Sequence, residues 1–229
     1  PPPPPPPPPP FLMTRPPPPS TLRRSRRQRQ MCIRDRTDAD FLRGYDFPDN
    51  VYIISCIAGF RPEKGHDLLI EAFRRIDVNA HLFRAGDGEE GGSIAARVDN
   101  LGLSSRVHFL GNVADVRPLL RVTDITVLAS TSVETFSIAM LESMAMGVPM
   151  VAPDIGGLSE AIVHDQTGWV YPAGDVDRLA ALLGQGAQDR AKLKAMGVQA
   201  REVVEKHYSK DIMADSMASL IYSVAERAL

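Results

Sequence analysis

Two cysteines, Cys32 and Cys56, are all that 229 residues contain. That excludes a disulfide framework, and no Cys/His spacing for zinc accompanies them, which suits a reducing cytoplasm. The five histidines, His66, His81, His108, His164 and His207, are scattered and make no metal pattern. No apolar run is long enough to span a bilayer, and no signal-peptide pattern is present, so a cytoplasmic location is expected. G-x-G-x-x-G is missing after the first apolar strand, which argues against a nicotinamide-binding unit. G-x-x-x-x-G-K-[ST] is missing too, arguing against a P-loop ATPase, and so is the G-x-S-x-G elbow of a serine hydrolase.

What the chain does have is unevenly spread. Residues 1–19 hold 14 of its 20 prolines, ten of them in one run. Residues 20–36 are dense in arginine, so the first 36 residues carry a net charge of +7, from eight Arg and one Asp. The whole chain is −2, which leaves −9 from Thr37 onward. Polyproline could dock in an SH3-type groove, and an arginine cluster could bind nucleic acid. An artefact is the favoured account. A ten-proline homopolymer is what a C-rich nucleotide run encodes, and R-Q-M-C-I-R-D-R resembles an out-of-frame adapter scar. Residues 1–36 are therefore expected to be a disordered artefact of sequencing or gene prediction, too poor in apolar side chains to pack. Residues 37–50 read as a linker, and no nucleic-acid partner is expected.

From residue 51 the pattern becomes regular. Val51–Ala58 is a continuous apolar run of the kind a buried parallel strand shows. The turn Gly59–Gly65 leads to an amphipathic helix with Leu68, Leu69, Ala72, Phe73 and Ile76 on one face. Further strands are expected at His81–Ala85, Val107–Leu110, Ile125–Leu128, Met150–Ala152 and Trp169–Val170. Helices are expected near Ser93–Leu101, Val116–Val122 and Phe136–Met146, in a short piece ending at Ala161–Val163, and from a cap at Asp175 to about Leu183. The last fifty residues look helical, with breaks near Gly197 and Tyr208–Ser209. Strands alternating with helices imply an α/β fold, a doubly wound, Rossmann-like parallel sheet flanked by helices. Ligands of such sheets bind outside the carboxyl ends of the strands, where the loops at Gly59–Gly65, Gly86–Gly88 and Ala129–Thr135 would emerge.

The most informative stretch is Ala129–Gly157, A-S-T-S-V-E-T-F-S-I-A-M-L-E-S-M-A-M-G-V-P-M-V-A-P-D-I-G-G. It places Glu134 in a loop and Glu142 in the helix that follows, with Gly147 as the helix stop. The expected helix mouth offers the amides of Phe136, Ser137 and Ile138 to an anion. Glu142, roughly two turns on, could accept hydrogen bonds from ligand hydroxyls. Phosphate at the mouth with hydroxyls around it would describe a sugar nucleotide. Two glutamates on a helix are also common as plain solvated residues, and the spacing alone favours that blander account.

A resemblance alters the balance. Glu134, Phe136, Ser137, Glu142, Gly147, Pro149, Gly156, Gly157 and Glu160 match the signature of glycosyltransferase family 4. These are retaining, nucleotide-sugar-dependent enzymes of the GT-B fold. The resemblance runs from about Val51 to the C-terminus, the donor-binding half of such an enzyme. It implies a sugar transfer from a nucleoside-diphosphate sugar to a hydroxyl acceptor with anomeric configuration kept. The implied catalytic set is Glu134, Lys64 and Arg61, and the donor-binding set Glu142, Phe136, Ser137, Ile138 and Gly86. Glu134 would hold donor-sugar hydroxyls, Glu142 the ribose, and Lys64 of P-E-K-G the diphosphate. The arginine usual in the family falls at Gly59, so Arg61, two residues later, matches less well. G-D-G at Gly86–Gly88 is otherwise a lone glycine turn, and F-L-G-N-V at Phe109–Val113 lies close to the base in the family. No metal and no cofactor is implied, since the cations take a metal's place. The partners implied are the nucleotide sugar, the acceptor and a missing N-terminal GT-B domain, through which a peripheral membrane contact could arise. The fragment is expected to be inactive without that domain. A GT-B nucleotide-sugar epimerase and a non-catalytic binding module are the alternatives.

Overall fold

The computed structural model describes residues 50–132 and 134–227. The tail expected to be disordered and nearly all of the linker lie outside the described residues.

Six strands alternate with helices in the described chain. They are β1 (Tyr52–Ile57), β2 (Ala80–Ala85), β3 (Val107–Gly111), β4 (Ile125–Val127), β5 (Met150–Pro153) and β6 (Gly168–Tyr171). The helices are α1 (His66–Arg75), α2 (Gly91–Asn100), α3 (Arg117–Val122), α4 (Ile138–Ala145), α5 (Leu158–Ala161), α6 (Val176–Gln188), α7 (Arg190–His207) and α8 (Lys210–Arg227). The strands form one sheet in the order β3-β2-β1-β4-β5-β6, and every pair is parallel. Between β1 and β4 the order reverses, which makes the switch point where the loops from neighbouring strand ends diverge.

Both faces of the sheet are covered. Ile54, Cys56 and Leu82 pack with α1, α2 and α6, whose Leu69, Phe73, Ile94, Val98, Leu179 and Leu183 are buried. On the opposite face Ile53 and Phe83 meet Leu119 of α3. Beside them Leu128, Met150 and Ala152 meet Met140 and Met144 of α4 and Ala200 of α7. Each fully buried aliphatic or aromatic side chain contributes about 1.5–3 kcal/mol of transfer free energy, so the two covered faces account for the doubly wound arrangement expected from the strand–helix alternation.

The helix signals are mostly where the sequence put them. Asp175 caps α6, its Oδ1 accepting from the Arg178 amide at 2.8 Å. Gly147 closes α4 in the left-handed region, with Val148 N donating to Ser143 O at 2.9 Å. Two expectations need correction. α6 continues past Leu183 to Gln188, because Gly186 faces the buried Tyr52 hydroxyl and leaves room for it. The expected break at Gly197 does not occur, and α7 runs unbroken from Arg190 to His207. A Cβ at Gly197 would stand 1.9 Å from the Gly147 carbonyl oxygen. This glycine serves the close approach of α7 to the end of α4, not a turn. The break at Tyr208–Ser209 is observed, and α8 beyond it is exposed over residues 211–221.

Candidate functional site

The loops after β1 and β4 leave adjacent strands at the switch point and lock together. The β1 loop carries a short 3-10 turn, Pro62–Lys64, before α1. The Thr131 amide donates to Glu63 O at 2.9 Å and ties the β4 loop to that turn. At the base of the β4 loop the buried Tyr171 hydroxyl donates to Leu128 O at 3.1 Å. On the far side, Gly157 N donates to Thr135 O at 2.9 Å. Gly156 has φ 56° and sits so close that a Cβ there would be 1.4 Å from Glu134 O. The glycine pair after β5 is thus the floor on which Glu134 rests.

These constraints bring Lys64 and Glu134, seventy residues apart in sequence, into contact. Lys64 Nζ donates to Glu134 Oε1 at 2.5 Å, and the side chains are 14% and 8% exposed. The Ser130 hydroxyl donates to the same oxygen at 2.7 Å. Neither the pairing nor Ser130 could be read from the sequence, where Ser130 is one small polar residue among several.

Arg61 stands apart from that pair. It is exposed and bonds Glu63 at 3.2 Å. The signature helix also begins later than expected. Ser137 is its N-cap, with its hydroxyl accepting from Met140 N at 3.3 Å, and Ile138 is its first residue. Phe136 therefore lies ahead of the helix, its ring 5.4 Å from that of Tyr208. Ile138 and Ala139 supply the remaining first-turn amides, which a helix cannot bond internally. Ile138 and Glu142 are both exposed.

Next to these loops a cavity of about 360 Å³ is lined by Gly59, Gly86, Asp87, Asn112 and Val113, among others. Gly86 N donates to Gly111 O at 2.8 Å and Phe60 N to Asp87 O at 3.0 Å, so the ends of β1, β2 and β3 converge there. From the sequence G-D-G reads as a lone turn. The structure places a third glycine, Gly91, as the first residue of α2, so the segment spells G-x-G-x-x-G on the second strand.

Beneath the β1 loop lies a polar cluster that apolar patterning does not announce. Arg84 of β2 is 1% exposed. Its Nη2 faces His66 Nδ1, and its guanidinium lies 5.0 Å from the Phe60 ring. His66 Nε2 donates to Gly59 O at 2.7 Å, which leaves Nδ1 as the acceptor for Arg84. Burial, then the charge of Arg84, pushes the His66 imidazole down to about 4, so it is neutral at physiological pH. The Cys56 thiol beside Arg84 is pushed up by burial and also stays neutral. The one available signal was an arginine inside A-H-L-F-R-A, a strand otherwise suited to burial.

The chain matches Glycosyl transferases group 1 over residues 39–203. It belongs to that family. Among curated group 1 relatives it is 33% identical over 182 residues to N-acetyl-alpha-D-glucosaminyl L-malate synthase of Bacillus anthracis, covering 79% of this chain and 48% of that protein. It is 31% identical over 180 residues to the GDP-mannose-dependent alpha-(1-6)-phosphatidylinositol monomannoside mannosyltransferase of Mycobacterium tuberculosis, covering 73% of this chain and 46% of the relative. Among solved structures, Anabaena HepE in complex with UDP-glucose superposes with a TM-score of 0.75 at 26% identity, covering 81% of this chain and 52% of HepE. The fold is therefore that of the GT-B glycosyltransferases, and this chain spans about half the length of the curated relatives it matches.

Proposed function

We propose that this chain is the donor-binding half of a retaining glycosyltransferase that moves a hexosyl unit from a nucleoside-diphosphate sugar to a hydroxyl acceptor. The observation that carries the reading is the Lys64–Glu134 contact at the switch point, beside a glycine-lined cavity large enough for a nucleoside. In transfer the bond from the anomeric carbon to the diphosphate breaks, a bond to the acceptor oxygen forms, and the hydroxyl proton is released. Negative charge grows on the departing diphosphate. Lys64, together with the first amides of α4, would offset that charge without a metal.

Glu134 Oε1 accepts from both Lys64 and Ser130. A diphosphate reaching Lys64 would compete for the ammonium and leave the carboxylate to accept hydrogen bonds from the sugar. Glu142 on α4 takes the ribose, and Gly86 borders the base cavity. Arg61 is an outer cation, free to swing because it is exposed. The nucleotide is left open, since one relative's name specifies GDP-mannose and one solved neighbour holds UDP-glucose. The acceptor wall belongs to a second domain of the kind that the rest of the relatives' length provides. Without it the acceptor is not positioned, forfeiting much of the roughly 7–11 kcal/mol that orientation supplies.

Calorimetry on the 229-residue chain with UDP, GDP, ADP and their sugars tests the roles. Glu142→Ala is expected to weaken every ligand carrying the nucleotide. Glu134→Ala is expected to spare the free diphosphate and weaken the nucleotide sugar by about 1.5–3 kcal/mol. Equal losses for both ligands in both variants contradict the assignment. Sustained transfer of radiolabelled sugar by this chain alone would contradict the division of labour.

A further inference from the structure

Three cations sit in or under the β1 loop, and two of them are already neutralised. Arg61 has Glu63 and Lys64 has Glu134. Arg84 has no carboxylate among the described residues. Its Nε and Nη1 are buried with no nitrogen or oxygen partner, and the groups that do face it, the His66 ring and the Cys56 thiol, are held neutral. A guanidinium does not shed its proton in a protein. Burying such a charge without a counter-charge opposes folding, so its place in the core calls for a role other than packing. Arg84 lies two residues before Gly86, at the carboxyl end of β2 where the cavity opens. Through His66 it also reaches the Gly59 carbonyl, the first residue of the loop that carries Lys64. Asp87 is the nearby acid on the cavity wall; it is exposed, and its Oδ1 accepts from the Gly88 amide.

We propose that Arg84 is a positioning residue whose buried, uncompensated charge is reserved for the diphosphate of the ligand, while its bond to His66 fixes the loop that presents Lys64. The inference rests on the donor-site reading above. It goes further in saying where the standing positive potential comes from when the other two cations are cancelled. In a medium of effective dielectric about 20, a full charge held under the loop still attracts an anion bound at the strand ends. An anion at the strand ends thus supplies the counter-charge that the fold withholds.

The test separates charge from packing. Arg84→Met keeps the length and apolar stem and removes the charge; Arg84→Lys keeps the charge and removes the fork. Nucleoside diphosphates (UDP, GDP, ADP) and the matching uncharged nucleosides are titrated by chemical-shift NMR into wild type and both variants, and melting temperatures are recorded. Arg84→Met is expected to melt at or above wild type, to lose about tenfold in diphosphate affinity, and to bind the nucleoside unchanged. Arg84→Lys is expected to keep most of the preference for the diphosphate. Several results overturn the inference: Arg84→Met binding the diphosphate as wild type does, losing nucleoside and diphosphate alike, or failing to fold, and Arg84→Lys losing the preference as fully as Arg84→Met. If wild type binds none of the three diphosphates, the donor-site reading itself falls, and this inference with it.

Discussion

Two arginines at opposite ends of the same sheet face the core under different terms. At the amino end, Arg190 of α7 donates to Asp124 Oδ1 at 3.2 Å and to Asn50 O at 3.0 Å, and it lies 5.3 Å from the Tyr52 ring. Asp124 in turn accepts from Ile53 N at 2.8 Å. The ion pair there is closed within the fold, although the Tyr52 hydroxyl beside it is buried without a hydrogen-bond partner. At the carboxyl end, Arg84 has an aromatic ring, a histidine and the buried Cys56 thiol but no carboxylate among the described residues. The arginine at the amino end has its counter-charge in Asp124, whereas the one at the carboxyl end has none among the described residues. Parallel sheets place ligands at the carboxyl end because loops diverge there at the switch point. Here the charge bookkeeping points to the same end, independently of the loops.

The contrast can be broken first at the closed end. Asp124→Ala removes the acceptor of Ile53 N and strands Arg190. The expected cost is about 3 kcal/mol in urea unfolding, with nucleoside diphosphate affinity unchanged. A variant that unfolds at the wild-type denaturant concentration would show that this end is not held by its ion pair.

The second expectation concerns His66 at the open end. Its ring faces Arg84 and Lys64, which disfavour its proton, and Glu63 and the Gly59 carbonyl, which favour it; burial is the largest influence. With the folded value lowered to about 4 from an unfolded 6.5, the unfolded chain binds more protons between these limits. Stability is therefore full above pH 6.5 and falls as pH drops toward 4. The loss by pH 4.5 should be about 2 kcal/mol. Carboxylates titrate in the same range, so the readout is the difference between wild type and His66→Gln at pH 7.5 and pH 4.5. A difference that does not change with pH would mean that the fold does not lower the histidine's pKa.

The smallest expected effect is at Arg61, which is 64% exposed and paired with one partner. Arg61→Ala should change stability by less than about 0.5 kcal/mol and diphosphate affinity by no more than about threefold. A loss as large as that of Lys64→Met would promote Arg61 from an outer cation to a direct ligand of the diphosphate.

Much of the fold is legible in the sequence. The strand positions follow from short apolar runs bounded by glycine and proline, and the alternation with helices gives the parallel sheet. The signature stretch singles out Glu134 and Glu142 through its resemblance to a family pattern, which can be seen because its loop–helix–strand grammar is local. What could not be read is what depends on distance in the chain. Lys64 meets Glu134 only through β1 and β4 being neighbours, a pairing that a strand order of β3-β2-β1-β4 sets and no local pattern reveals. Ser130 gains its role from the same contact. Gly197 looks like a break in the sequence because a glycine within a helical stretch marks either a stop or a close approach, and only the packing against Gly147 decides. Arg84 was passed over because strand propensity weighs the average of a segment, and one charge in A-H-L-F-R-A does not disturb it.

The most direct test of the account is a residue-resolved amide NMR titration of the 229-residue chain with UDP, GDP and ADP. The nucleotide that binds should shift amides at the carboxyl end: Gly59–Gly65, Gly86 and Gly88, and Ile138 with Ala139 at the start of α4. Ile53 and Asp124 at the amino end should stay unmoved, along with the amide of Arg190. Shifts centred on the Asp124–Arg190 end, or saturable binding that leaves the β1 and β4 loops untouched, would contradict the assignment of the donor site to the switch point.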